Sequence, residues 1–251
     1  MYFGRNGSVI GKLQYPSNIG LSYIANYAVE GSASSSRTFS SCDLGDPSPN
    51  RAIIVGIGAR NNTIAITGCT IAGVTAYIVR MWVNGNTTAA LAIARVPTGT
   101  TGDIVVSYTR HISSTTSSSH YIGVWSVKNL PHIFPMDTAV AGGGGTMSAT
   151  LRTSKNGFAI VIAANAGGGN GPENPTTFSV NLTKRFDGED TTPIQNVGLF
   201  AGADGLTDGT DTLFEVTVGD INTNSPTIFA AWDCGDTGGI WHINSVENIF
   251  I

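Results

Sequence analysis

The sequence predicts an all-β chain: two tandem antiparallel β-sandwiches of jelly-roll or immunoglobulin-like type, related by duplication and preceded by an N-terminal arm. Three observations predict it. From Arg37 onward, short runs rich in β-branched residues recur at regular spacing, bounded by Gly, Pro, Asn or Ser. No stretch sustains a helical period. Three landmarks also repeat in order: Asn50 and Asn156 at an offset of 106, Ile104-Val106-Tyr108 and Phe214-Val216-Val218 at 110, Trp125 and Trp232 at 107. Tandem sandwiches are the simplest layout; exchange of strands between the halves, giving one larger sandwich, is the alternative.

The chain is organised around Arg51–Arg60, echoed at Gly157–Asn165. In an extended strand Ile53, Val55, Ile57 and Ala59 share one face. Gly56 and Gly58 fall on the other, where they leave room for a close neighbour, a second subunit among them. Asn50 and Asn156 are read as turn residues before the two strands. Further strands are expected at about 37–44, 63–71, 74–83, 88–96, 103–111 and 120–128. The first sandwich then spans 36–131 and the second 132–236, with 237–251 as a C-terminal tail or strand. Residues 1–35 read as an arm or anchor without a core of its own, whose Tyr2, Phe3, Tyr15, Tyr23 and Tyr27 must dock on something.

A hydrophobic content of 41% suffices for a core, while charged residues at 12% are about half the globular norm and glycines number 32. No run approaches the roughly 18 apolar residues of a membrane helix, and MYFGRNGSVIGK lacks the apolar stretch of a signal peptide. No membrane insertion is expected. Cys42, Cys69 and Cys234 are odd in number and widely spaced, which reads as buried thiols rather than a disulfide framework. All 13 basic residues lie at or before Arg185, with 6 acids; the remaining 11 acids follow with no Lys or Arg. That balance, without a basic patch interleaved with aromatics, argues against nucleic acid as a partner.

No nucleophile elbow, H-E-x-x-H or Walker loop is present, and no enzyme is expected. The glycine runs at 142–145 and 167–169 lack a following helix and read as turns or linkers. His111 and His120 bracket ISSTTSSS, read as a solvated hairpin whose exposed tip carries Ser117 and Ser118 as contact residues. DGED at 187–190 and DGLTDGTD at 204–211 cluster carboxylates with glycines, so Asp204, Asp208 and Asp211 are the candidate ligands for calcium. The spacing is not that of an EF-hand, and acidic turns facing water are the plainer reading. Among the tryptophans, Trp125 and Trp232 recur inside strands and read as core; Trp82 and Trp241, beside glycine-rich turns, are the candidates for ligand or host-surface contact.

The run FSSCDLGDPSPNRAIIVGIG at 39–58, then ITGCTIAGVTA at 66–76 and VPTGTTGDIVV at 96–106, resembles β-sandwich virion proteins of tailed bacteriophages. GSVIGKLQYPS at 7–17 resembles the opening of phage tail and fibre proteins. The resemblance implies a structural virion protein made in the host cytoplasm: a head decoration or spike, or a tail or fibre component touching the host surface. It implies no catalytic residues. The expected partners are the chain itself, as a homo-oligomer and most simply a trimer, other virion proteins, and cell-surface polysaccharide. The aromatic arm and the apolar end Ile249-Phe250-Ile251 fit packing against neighbours. A secreted carbohydrate-binding module is the alternative.

Overall fold

The computed structural model describes residues 19–31, 35–60, 65–85, 87–109, 118–165, 176–189, 199–218 and 225–233. These residues form strands and no helix, as the turn-punctuated sequence predicts. The first half contributes β1 (Gly20–Gly31), β2 (Ser36–Asp43), β3 (Ala52–Arg60), β4 (Ile66–Ile71), β5 (Val74–Thr75), β6 (Tyr77–Asn84), β7 (Thr87–Arg95), β8 (Thr101–Tyr108) and β9 (Ser118–Lys128). The second contributes β10 (Asp137–Gly142), β11 (Gly145–Leu151), β12 (Lys155–Asn165), β13 (Thr177–Phe178), β14 (Thr183–Glu189), β15 (Leu199–Asp208), β16 (Thr212–Val218) and β17 (Pro226–Trp232).

Pairing in the first half is nested: β1 with β9, β2 with β8, β3 with β7, and β4 with the short β5 that runs on into β6. First meets last and second meets penultimate, so the chain folds as a doubled ribbon wrapped into two sheets, which is a jelly roll. Its sheets have the orders β1-β9-β3-β7-β6 and β2-β8-β4-β5. The second half repeats this as β10-β17-β12-β15-β14 and β11-β16-β13. No sheet among the described residues mixes strands from the two halves. Even an irregularity recurs: the ladder slips between Ile78 and Arg80 on β6, and between Lys184 and Phe186 on β14. Val79 and Arg185 therefore occupy equivalent bulges.

The five-stranded sheets pack against each other, which makes four layers and three apolar cores. One core lies within the first jelly roll, around Ile53, Val55, Ile57 and Val106. One lies within the second, around Val161, Phe214 and Phe229. The third joins the halves through Ile54, Trp125, Ile160, Phe186, Phe200 and Trp232. Every residue of β3 is consequently buried. What occupies the space beside Gly56 and Gly58 is the second half of the same chain. A Cβ on Gly58 would lie 2.4 Å from the Phe200 ring, and one on Gly123 would lie 2.4 Å from Phe186. The linker is held from both sides: Arg95 donates to the carbonyls of Leu130 and Pro131, and Trp232 Nε1 donates to Ile133 O at 3.1 Å.

Two expectations change. Gly20–Gly31 is no arm but an edge strand of the first inner sheet, so the first sandwich begins before residue 36. β8 and β9 belong to different sheets, so these two strands are not the arms of a hairpin. Asn156, φ 59, sits in the turn closed by Gly157 N donating to Ser154 O at 3.1 Å, at the bulge that opens β12, as Asn50 sits in the turn closed by Arg51 N donating to Ser48 O at 2.9 Å. Register also moves one landmark. Trp125 faces Ile54 and Trp232 faces Phe158, so by an offset of 106 along β3 and β12 the counterpart of Trp125 is Ala230.

Candidate functional site

The acidic segment is divided between two environments. Asp204 is 2% exposed in the middle of β15 and faces the first half. Its Oδ2 accepts from Trp125 Nε1 at 2.7 Å and from Arg185 Nε at 2.9 Å, while Oδ1 accepts from Arg185 Nη2 at 2.8 Å. A fork-shaped guanidinium suits a carboxylate in this two-point fashion. Burial of a carboxylate is tolerable because it is paired and hydrogen-bonded, and the pairing holds the two halves in one register. The sequence could not reveal this, since Trp125 lies 79 positions away.

Asp204 is thus not a turn ligand. It stands four residues from Asp208 along one strand, about 13 Å at the usual rise. Asp208 Oδ1 caps the next turn, accepting from Thr210 N at 3.2 Å and Thr210 Oγ1 at 2.9 Å, and these bonds hold its carboxyl below the usual range. Asp211 is exposed beyond that turn. Asp187, from DGED, accepts from Lys184 Nζ at 2.8 Å and Thr176 N at 3.0 Å. Among the described residues no three His, Cys, Asp or Glu side chains gather as a metal would require. The calcium expectation for Asp204, Asp208 and Asp211 fails on geometry: the three carboxylates do not converge.

Asp208 and Asp211 instead line an open groove of about 470 Å³ at the β15–β16 turn, with Asn181, Leu206 and Leu213. Leu206 is 70% exposed and Leu213 51%, and Val180 beside them is fully exposed. Asn181 Nδ2 donates to Leu213 O at 3.3 Å, and the Asn181 carbonyl covers Gly205. This groove was missed in the sequence. Its signal is Leu206, an isolated large apolar side chain inside a run of Asp, Gly and Thr.

Trp82 is 39% exposed on the edge strand β6, with its Nε1 and the Asn84 amide set over Gly142 of β10. Tyr77, at the other end of β6, meets Phe134 of the linker edge-on at 5.1 Å. Trp125 and Trp232 are buried, as their positions within strands predict. Ser117, Trp241, His111 and Cys234 lie outside the described residues; of Ser118 the backbone pairs with Gly31. His120 is not solvated. It is buried against Tyr108, ring centroids 4.7 Å apart, and desolvation with the nearby Arg37 charge pushes its pKa down to about 3. Cys42 and Cys69 are free and buried in the first core, where desolvation raises their thiols to about 11 and about 12. They are packing groups, protonated at neutral pH.

The fold and these surfaces define a fused pair of jelly rolls whose described polar clusters are pairing devices between strands and halves. Comparison with protein-family models, with curated proteins and with solved structures finds no match.

Proposed function

We propose that the chain is a structural component of a tailed-bacteriophage virion, a head decoration or spike protein or a tail or fibre component. It works through assembly rather than catalysis. The observation that carries this reading is the pair of double-sheet jelly rolls, a fold also found in viral capsid and lectin domains. Both inner sheets are covered on both faces, which suits a rigid module held on a particle. The motifs at 39–58, 66–76 and 96–106 support the same reading. Its partners are then other copies of the chain, as a trimer, and neighbouring virion proteins. The test is mass spectrometry of density-purified particles from cells producing the protein. Stoichiometric copies in intact particles are expected, and their absence overturns the proposal.

A carbohydrate-binding module is the second reading, favoured by one observation: Trp82 and Asn84 offer an aromatic face beside an amide at the open β6–β10 edge. Glycan-array binding by the isolated chain, abolished by Trp82→Ala, would favour it. On a particle the same surface would meet cell-surface polysaccharide.

A further inference from the structure

The groove at the β15–β16 turn is apolar at its walls and acidic at its rim. Its described lining carries Asp208 and Asp211 and no basic side chain; Lys155 stands opposite Asp208 in the ladder. Three large apolar side chains, Val180, Leu206 and Leu213, are uncovered there. The registers place the groove relative to the start of β1. Tyr23, opposite Trp125, stacks on Phe186 of β14 with centroids 5.8 Å apart, and Trp125 bonds Asp204. Two residues back along β1 is Leu21, opposite Val127; two residues on along β15 is Leu206. Leu21 and Leu206 therefore stand at one level of the interface between the halves, and the chain before Ile19 enters the fold at the end where the groove opens.

Residues 1–18 complement that groove. They carry Arg5 and Lys12 and no acid, with Leu13 and Tyr15 among their apolar side chains. Stacked sheets lie about 10 Å apart and an extended chain advances about 3.3 Å per residue, so four residues back from Ile19 suffice to reach it. We propose that the N-terminal segment of the same chain docks in this groove, with Leu13 and Tyr15 against Leu206 and Leu213 and Lys12 beside Asp208 and Asp211. The inference is independent of the virion reading.

Limited trypsin digestion of the full chain tests it, because docking shields the Lys12–Leu13 bond. Replacing Leu206 and Leu213 with Glu should speed cleavage at that bond at least tenfold while leaving the strand circular dichroism unchanged, since neither side chain belongs to an apolar core. Should that variant misfold, Asp208→Asn with Asp211→Asn removes the negative charge beside Lys12, keeps an acceptor for Thr210 and adds no trypsin site, and should also speed cleavage. Equal cleavage rates in wild type and folded variant overturn the proposal. Protection that disappears on dilution also overturns it, by assigning the groove to the arm of a second copy.

Discussion

Arg51 is fully buried and gives all five donors to main-chain carbonyls. Nε reaches Val96 O at 2.7 Å, Nη1 reaches Leu44 O and Gly45 O, and Nη2 reaches Thr98 O and Gly99 O at 2.8 and 2.7 Å. One guanidinium thus ties the loop before β3 to the loop before β8. Arg51→Met should cost about 3 kcal/mol or more, read from the urea midpoint, because carbonyls are left buried without donors. Arg51→Lys should recover only part, since an ammonium lacks the planar fork. The sequence shows Arg51 merely as a charged residue ahead of a strand; its role depends on a loop 45 and more positions away as well as on the one just before it. His120 carries the second expectation. Its folded pKa of about 3 lies below the ordinary 6.5, so the unfolded chain binds the proton first. The stabilisation is complete above pH 6.5 and is lost as pH falls toward 3. Between pH 7 and pH 5 this amounts to about 2 kcal/mol. His120→Phe should flatten that portion of the stability profile, and an unchanged slope would refute the assignment.

The strands from Arg37 to Lys128 were legible because each alternates or runs apolar between turn formers. β1 was not, and the reason is a bulge. Ile19, Leu21 and Tyr23 pack toward the second half, the ladder slips at Ile24, and Tyr27 and Val29 then face the first core. Odd positions change face at the slip, so no period-two pattern survives across the segment. β15 misled differently: Asp204-Gly205 looks like a turn but lies inside a strand, because Arg185 and Trp125 neutralise the carboxylate. By register, Val79 and Ile93 stand in the first half where Arg185 and Asp204 stand in the second. One half meets the interface with an apolar pair and the other with an ion pair. On the close-packed glycine positions the expectation is direct. Gly58→Val drives side-chain atoms into the Phe200 ring and should cost about 1–3 kcal/mol, the usual range for overpacking. Val on Gly73, where no neighbour lies within 4 Å, tests only the strain of its positive φ and should leave the inter-half core intact.

The third core makes the halves mutually dependent. Residues 19–131 alone would expose Ile54, Leu91, Ile93 and Trp125; residues 132–233 alone would expose Phe158, Ile160, Phe200 and Trp232. Apolar area of that extent costs about 25 cal/mol per Å² in water. The full chain should therefore melt in one calorimetric transition, and each half expressed alone should aggregate or self-associate. Two separate transitions would show the cores to be uncoupled. EDTA should leave the melt where it is, because the oxygens of Asp204 are already taken by Arg185 and Trp125.

Register makes Gly56 and Ile162 counterparts, and they touch: a Cβ on Gly56 would lie 2.8 Å from Ile162 Cγ2. A residue at the centre of a symmetric dimer meets its own twin, so two glycines would leave a hole and two isoleucines would collide. Within one chain that restriction is absent, because the two halves carry different residues at the centre, a socket at Gly56 and a knob at Ile162.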